Sequence, residues 1–121
     1  MGEAAYKNLL AWQKADQFAQ KIYSATRSFP REEIFGITSQ LRRSALSVPT
    51  NIVEGYARRS DGELRRFLLI ALGSLAETEY LLDFSLNMQF LTGEEHKSLS
   101  DLRRDTGSLL WKFYDSIKAA R

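Results

Sequence analysis

Apolar residues recur every three or four positions between residues 37 and 56, at Ile37, Leu41, Ala45, Val48, Ile52 and Tyr56. This spacing places their side chains on one face of an α-helix, so the pattern predicts a helix from about Thr38 to Arg58. Pro49 lies inside it and removes the hydrogen bond that an amide would have donated to Ala45, at a cost of about 3 kcal/mol. Two short helices would place Val48 at an N-cap, where it caps poorly. We therefore predict one helix that is kinked at Pro49.

Three further segments have the same periodicity, and the residues at their ends predict where each helix begins. Their predicted ranges are about residues 8–28, 60–90 and 92–117, which are helices 1, 3 and 4 of the chain. The helix that contains Pro49 is helix 2. Asn8 is a favourable N-cap for the first, and a Phe-Pro pair ends it. Helices 3 and 4 each open with a capping box, Ser60 with Glu63 and Thr92 with Glu95, in which side chains satisfy amides of the first turn.

The arrangement of these helices follows from the short connections between them. No run alternates apolar and polar residues with the period of two that indicates a β-strand. Four amphipathic helices with short connections pack most simply as an antiparallel up-and-down bundle. The sequence thus predicts an all-α fold, a single four-helix domain over residues 1–121, which is long enough to bury a core without cross-links.

Apolar residues also lie outside the core stripes. The run FLLIALGSLA at residues 67–76 is apolar around the whole circumference of helix 3, and such a helix needs cover on more than one side. Helix 4 adds aromatic residues that fall away from its own stripe. An apolar patch of this extent usually marks a protein interface. We therefore predict a homo-oligomer whose contact residues are Leu69, Ile70, Leu72, Trp111 and Tyr114.

Composition excludes several classes of protein. The chain has no cysteine, which removes disulfide frameworks, zinc–thiolate sites and thiol nucleophiles. Its longest charge-free apolar run, residues 67–76, is far shorter than the ~20 residues that a membrane span needs. The first residues are charged and amphipathic rather than an apolar leader. We expect a cytoplasmic protein with no membrane partner.

The net charge of +2 conceals an uneven distribution. Residues 67–102 hold six carboxylates and one lysine, a net of −5, so the rest of the chain carries +7. Many arginines come in pairs, at Arg42-Arg43, Arg58-Arg59, Arg65-Arg66 and Arg103-Arg104. Guanidinium groups bind phosphate bidentately, so the doublets are candidate contacts to RNA or DNA. The alternative is that they form solvated helix faces and salt bridges between subunits, and no helix-turn-helix, zinc-finger or RNA-recognition motif decides the matter.

Different roles are expected within the arginine doublets. Arg43 neighbours the core stripe of helix 2 and is expected to be used inside the bundle. The other seven are candidate nucleic-acid contacts. Those that flank the turn between helices 2 and 3 are expected to be the most accessible, namely Arg58, Arg59, Arg65 and Arg66.

Two polar pairs with i, i+3 spacing lie beside the core stripes, Asn51 with Glu54 in helix 2 and Ser74 with Glu77 in helix 3. Antiparallel packing would bring the two pairs together. One interpretation is a metal or acid–base site, but di-metal bundles typically add Glu-x-x-His pairs, which this sequence lacks. We favour a hydrogen-bonded polar network, completed by Arg43, that fixes the register of the helices.

No catalytic motif accompanies these residues. His96 is the only histidine, lies beside Glu94 and Glu95 near the start of helix 4, and is expected to be a solvated surface residue. No serine shares an elbow motif with it, and the glycines are too scattered to form a phosphate-binding loop. We expect no enzymatic activity, metal, cofactor or small-molecule substrate.

Three segments resemble a known family: LLAWQKA at residues 9–15, FPREEIFGITSQLRRSALSVPTNIVEGYARRS at 29–60 and FLLIALGSLAETEYLL at 67–82. They carry the motifs N-I-x-E-G, from Asn51 to Gly55, and A-x-G-S-x-x-E, from Ala71 to Glu77. In these residues the chain is similar to the four-helix bundle family of the 23S rRNA intervening-sequence protein, also called the S23 ribosomal protein family.

The resemblance carries expectations about assembly and activity. The family includes proteins encoded within intervening sequences of bacterial 23S rRNA genes and is similar to the accessory protein of diversity-generating retroelements, which binds nucleic acid through a basic surface. Members of the 23S rRNA intervening-sequence protein family form homopentameric barrels. The resemblance thus implies a non-enzymatic homopentamer that binds RNA or DNA. The competing hypothesis is an oligomeric adaptor that binds another protein and has no nucleic-acid role.

Overall fold

The computed structural model describes residues 5–118 and contains four α-helices, α1 Leu10–Ala25, α2 Ile37–Ala57, α3 Asp61–Asn87 and α4 Gly93–Ser116. A short 3₁₀ turn precedes α1, and two more lie in the connection between α1 and α2; they span Ala5–Asn8, Thr26–Ser28 and Arg31–Glu33. No strand occurs in the part of the chain that the structure describes. The all-α prediction is confirmed.

Each helix packs against two neighbours, in the order α1, α2, α3, α4 and back to α1. The start of α2 contacts the end of α1 through Arg42 and Thr26, and the start of α4 contacts the end of α3 through His96 and Asp83. Neighbouring helices are therefore antiparallel, and the predicted up-and-down four-helix bundle is confirmed.

The core lies along the axis of this bundle. All four helices contribute side chains that are almost completely buried, including Phe18, Ile22, Leu41, Ile52, Leu68, Leu75, Leu82 and Leu110. Burying one such side chain contributes about 1.5–3 kcal/mol relative to leaving it in water. The apolar stripes read from the sequence thus point into one shared interior.

Helix α2 runs unbroken through Pro49, which is itself buried. Its predicted stripe faces the core, because Leu41, Val48 and Ile52 are buried and Tyr56 is half-buried. The alternative of two short helices is therefore wrong. The kink at Pro49 stays a prediction.

The two predicted capping boxes differ. At the start of α4 the box is complete, because the Glu95 amide donates to the Thr92 hydroxyl at 3.0 Å and the Thr92 amide donates to the Glu95 carboxylate at 2.8 Å. At the start of α3 the Glu63 amide donates to the Ser60 hydroxyl at 3.3 Å, but the Glu63 carboxylate is bound by arginines instead. The N-cap predicted at Asn8 is wrong: that residue closes the preceding 3₁₀ turn, and Leu9 takes the N-cap position without a side-chain hydrogen bond.

Helix α3 ends at Asn87, three residues before the predicted end. Gln89 adopts a left-handed conformation with φ 64°, and the amide of Phe90 turns back to the carbonyl of Ser85 at 2.9 Å. This is the usual hydrogen-bonded way to stop a helix. It places the ring of Phe90 beside that of Phe29, with 5.5 Å between ring centroids.

Helices α2 and α3 approach closely at Gly55. A Cβ added there would lie 2.7 Å from Phe67 Cβ and 3.2 Å from Leu64 Cδ1. The 2.7 Å contact is shorter than Cβ atoms in folded proteins show, so any larger residue would push the helices apart. The glycine of the N-I-x-E-G motif therefore sets the spacing of the two helices next to the turn that joins them.

Candidate nucleic-acid interface

The turn between α2 and α3 positions the central arginines. Arg58 forms the C-cap of α2, with its amide 3.3 Å from the Gly55 carbonyl, and Arg59 has a left-handed φ of 55°. Ser60 then caps α3. The doublet Arg58-Arg59 therefore occupies the turn itself, while Arg66 follows one and a half helical turns into α3, and all three side chains are exposed.

Two carboxylates compensate part of this positive charge. Arg58 donates to Glu54 at 3.1 Å and to Glu63 at 3.3 Å. Arg66 donates to the second carboxylate oxygen of Glu63 at 3.0 Å. This hydrogen bond from Arg66 lowers the pKa of Glu63 below its usual value. Exposed ion pairs of this kind contribute about 0–1 kcal/mol, so they hold the arginines in place only weakly.

The ring of Phe67 orders the same two arginines. The Arg58 and Arg66 guanidinium carbons lie 5.1 Å and 4.5 Å from the centroid of this buried ring. A cation over an aromatic face is attracted by about 0.5–1 kcal/mol at exposed sites. The two guanidinium groups are thus held near the surface of the turn rather than left to move freely.

Arg65 has a different role from its neighbour. It is half-buried and donates to the Ile117 carbonyl at 2.9 Å, the Tyr114 carbonyl at 3.3 Å and the Tyr114 hydroxyl at 2.8 Å. The expectation that Arg65 is among the most accessible arginines is wrong. Its side chain is used to hold the end of α4.

The roles predicted for Arg42 and Arg43 are reversed. Arg42 donates from Nε to the Thr26 hydroxyl at 2.8 Å, and its guanidinium carbon lies 5.0 Å from the centroid of the Tyr23 ring. Arg43 is exposed and lines a polar groove between α2 and α3. The reason is that α1 offers an acceptor and an aromatic ring on the Arg42 side of α2. Arg42 is therefore the structural residue, and Arg43 faces solvent.

The fourth doublet lies on α4, away from the turn. Arg103 pairs with Glu79 of α3 at 3.5 Å and is largely covered. Arg104 is exposed and donates to Asp101 at 3.0 Å. A hydrogen bond from Lys97 is the main cause that lowers the pKa of Asp101. Both arginines line a groove between α3 and α4 that Trp111 borders, so the structure does not bring them together with the arginines of the turn.

The polar network between α2 and α3 consists of hydroxyl groups and one amide. Asn51 Nδ2 donates to the Ser47 hydroxyl at 2.8 Å, and that hydroxyl lies 2.8 Å from Ser74 Oγ. A second link joins Thr78 to Ser44 at 2.8 Å. Asn51 and Ser74 thus belong to a network, as predicted. Three further members, Ser44, Ser47 and Thr78, were not predicted, because a serine or threonine on a helix gives no distinctive signal in the sequence.

The carboxylates are not part of that network. Glu54 is exposed and paired with Arg58, and Glu77 is exposed at the rim of the groove that Arg43 lines. The prediction that both carboxylates and Arg43 complete a buried network is therefore wrong for the single chain. The physical reason is that hydroxyl groups already satisfy one another between the helices. Within residues 5–118 no three acidic or histidine side chains gather to hold a metal ion.

His96 is more involved in packing than expected. Its side chain is largely covered, and Nε2 lies 2.8 Å from an Asp83 carboxylate oxygen on α3. The expectation of a solvated surface residue beside Glu94 and Glu95 is met only in part, because the side chain is 20% exposed and Asp83, near the end of α3, lies against the first turn of α4.

The apolar surface predicted on α3 and α4 is partly exposed. Leu69, Ile70 and Trp111 are exposed, whereas Leu72 and Tyr114 are half-buried and pack against the core. Leu69, Ile70 and Trp111 are therefore accessible at the surface of the bundle, and the homo-oligomer stays a prediction. None of the helices in the described range is long and apolar enough to span a membrane.

Two exposed aromatic residues of α3 were not predicted. Tyr80 and Phe84 are exposed on α3, and Tyr80 continues the spacing of Leu69, Gly73 and Ala76 along one face. This spacing of three and four residues does not by itself identify Tyr80 as exposed, because an aromatic residue at helical spacing is more often part of a core.

Comparison with known proteins identifies the family. Residues 7–112 match the sequence profile described as the 23S rRNA-intervening sequence protein. The chain is also similar to a crystal structure from Bacteroides thetaiotaomicron of a protein with unknown function from the S23 ribosomal protein family. The two are 26% identical with a TM-score of 0.81, over 88% of this chain and 96% of that chain. A comparison with curated proteins finds no match to this sequence. Because the profile covers most of the chain, the protein belongs to the 23S rRNA-intervening sequence protein family.

Proposed function

We propose that this protein is a cytoplasmic, non-enzymatic, homo-oligomeric helical bundle that binds RNA or DNA through a basic surface. Five subunits are expected from the resemblance to its family. The oligomer is supported by the exposed apolar side chains of Leu69 and Ile70 on α3 and Trp111 on α4, since exposed apolar patches of several hundred Å² usually mark interfaces.

The observation that carries the nucleic-acid proposal is the arrangement around Phe67. Arg58 and Arg66 lie over its ring, remain exposed, and are paired only with surface carboxylates. Guanidinium groups prefer bidentate phosphate contacts. A phosphate can therefore displace Glu63 or Glu54 at small cost and meet two donors that are already ordered.

The strength of this interaction depends on repetition. Residues 54–66 contain four arginines and three carboxylates, a net charge of only +1 per subunit. One turn alone would bind weakly, and no side chain at it forms part of a base-reading motif. A ring of subunits repeats the turn around one axis, so several phosphates can be bound at once. We expect binding without strong sequence preference.

Gel shifts with RNA, single-stranded DNA and duplex DNA over a series of salt concentrations test the proposal. The test variant replaces Arg58, Arg59 and Arg66 by Gln and leaves Arg65 in place, because Arg65 holds α4. The control replaces three exposed basic residues at the other end of the bundle, Lys21, Arg27 and Arg31.

We expect the test variant to lose binding and the control to retain it. Each lost phosphate contact should reduce the dependence of log K on log salt by roughly one. Equal binding by the test variant and the wild type would contradict the proposed surface. Light scattering on each sample shows whether oligomer size has changed.

The adaptor hypothesis is the second candidate, and one observation favours it. The carboxylates Glu54 and Glu63 neutralise much of the positive charge at the turn, while large apolar side chains remain exposed elsewhere. The test uses protein freed of co-purifying material. If this protein retains none of the three nucleic acids at low salt, the adaptor hypothesis replaces the nucleic-acid proposal. Identifying what co-purifies with the wild type then names the class of partner.

A further inference from the structure

The connection between α1 and α2 presents an aromatic side chain directly to solvent. Phe35 is 95% exposed, and its neighbour Ile34 is 46% exposed. The backbone around them is ordered by hydrogen bonds, from the Ile34 amide to Arg31 at 3.1 Å and from the Gly36 amide to Glu33 at 2.9 Å. The Phe35 ring is therefore held outward by a well-formed turn.

An aromatic groove lies beside this turn, between the first turns of α2 and the second half of α3. Its apolar lining is formed by Ile37, Leu81, Tyr80 and Phe84, with Gln40 and Glu33 adding polar groups. Ile37 and Leu81 are buried, whereas Tyr80 is 65% and Phe84 40% exposed. The Tyr80 and Phe84 rings stand 6.4 Å apart between centroids. The groove is thus open to solvent, and Phe35 of the same chain does not enter it.

We propose that Phe35 of one copy of this chain docks into the groove of a neighbouring copy, between Tyr80 and Phe84. Both halves of the contact belong to this chain: an aromatic ring without cover and an aromatic groove without an occupant. Aromatic rings prefer offset or edge-to-face contacts with one another, which a groove walled by two rings offers. The proposal rests on the homo-oligomer proposed above and identifies one of its contacts.

The exposed area agrees with this assignment. Aromatic side chains present about 150–250 Å² each, so the exposed fractions of Phe35, Tyr80 and Phe84 leave roughly 300–500 Å² of aromatic surface on each subunit. A standard interface buries about 800 Å² per partner. In a ring of subunits each interface pairs Phe35 of one copy with Tyr80 and Phe84 of the next, so the aromatic surface supplies roughly 150–250 Å² per partner, about a quarter of a standard interface. Leu69 and Ile70 extend the apolar surface along the same helix.

Subunit association measured by light scattering over a dilution series tests the contact. The variants are Phe35→Ser and, as a matched control, Leu10→Ser, because Leu10 is 66% exposed at the opposite end of the bundle. An exposed side chain contributes little to the fold of its own chain, so circular dichroism should show both variants folded. We expect Phe35→Ser to weaken association at least tenfold and Leu10→Ser to leave it unchanged.

Cross-linking identifies the partner surface. Since the natural chain has no cysteine, an Ile34→Cys chain mixed with a Gln40→Cys chain can form only disulfides that join different copies. Ile34 is the exposed neighbour of Phe35 and Gln40 lines the groove, so all three aromatic rings stay in place. We expect an Ile34→Cys/Gln40→Cys heterodimer under mild oxidation, and none when Leu10→Cys replaces Gln40→Cys.

The outcomes separate the two proposals. A wild-type protein that is monomeric at micromolar concentration contradicts both the homo-oligomer and this contact. A wild-type oligomer that survives Phe35→Ser and gives no Ile34–Gln40 cross-link overturns the contact alone, and the subunits then meet elsewhere.

Discussion

The guanidinium of Arg65 lies 4.1 Å from the centroid of the Tyr114 ring and donates to the hydroxyl of the same residue at 2.8 Å. It also donates to the carbonyl of Tyr114, in the last turn of α4, and to that of Ile117, its C-cap; helices leave acceptors unpaired at such ends. One side chain from the start of α3 thus caps the end of α4 and joins the two helices.

Replacing Arg65 should therefore affect stability more than binding. We expect Arg65→Ala to lower the free energy of unfolding by about 1.5–3 kcal/mol, the range for hydrogen bonds to a charged group. Arg66→Ala is the matched control and should cost less than about 1 kcal/mol, because its ion pair is exposed. Urea denaturation measures both. Equal losses in the two variants would show that Arg65 does not hold α4.

Gly55→Ala should destabilise the bundle. The added Cβ would meet Phe67 Cβ at 2.7 Å, and this atom cannot move without its helix, so we expect a loss of about 1–3 kcal/mol. At Gly73 nothing lies within 4 Å of an added Cβ, so Gly73→Ala should stabilise α3 by about 0.5–1 kcal/mol. Thermal unfolding compares the two. A stable Gly55→Ala variant would mean that the helices can separate without cost.

The polar residues between α2 and α3 should rank in a definite order. Because Glu54 and Glu77 are exposed, replacing either by Ala should change the free energy of unfolding by less than about 1 kcal/mol. Ser74→Ala removes one partner of the Ser47 hydroxyl, which keeps its hydrogen bond from Asn51, and should cost about 0.5–1.5 kcal/mol, the net contribution of one hydrogen bond. Urea denaturation of all three variants is the measurement. A larger loss for Glu77→Ala than for Ser74→Ala would contradict this order.

Acid should weaken the surface network at the turn. The hydrogen bond from Arg66 lowers the pKa of Glu63 from the ordinary 4.5, so the folded protein holds this proton less tightly than the unfolded chain. The contribution of this carboxylate is present above pH 4.5 and is lost as pH falls through the lowered value. Carbon NMR of the Glu63 carboxyl should show the shift, and Arg66→Gln should move the titration back towards higher pH. An unchanged titration in Arg66→Gln would contradict the assigned cause, and Arg31→Gln serves as the control.

Helix positions were predictable because each helix must bury one stripe in a shared core. Leu41, Val48 and Ile52 illustrate this, since their spacing alone predicted their burial. The end of α3 was not predictable, because the sequence remains apolar to Leu91 and the stop depends on the left-handed conformation of Gln89. Periodicity identifies the face of a helix, whereas backbone hydrogen bonds decide where it ends.

The candidate site was less predictable because it depends on contacts between distant residues. Arg42 and Arg43 are adjacent in sequence, and the positions of Tyr23 on α1 and of Thr26 at its C-cap decide which one is held. Arg65 and Tyr114 are likewise on different helices. The exposure of Phe35 was not predictable, because the connection between α1 and α2 carries no periodic pattern that marks one exposed ring. Doublets of arginine therefore predicted where positive charge lies, but not which charges are available.

Glu63 has two competing uses at the start of α3. Its amide completes one half of a cap with Ser60, while its carboxylate binds Arg58 and Arg66 instead of returning to the Ser60 amide. An anion that takes both arginines would release this carboxylate to close the cap. Anion binding at the turn between α2 and α3 would then favour ordering of the first turn of α3, and that ordering would favour anion binding to the same extent. Slower hydrogen exchange of the Ser60 amide on addition of RNA would report that coupling from within the helix rather than from the ligand.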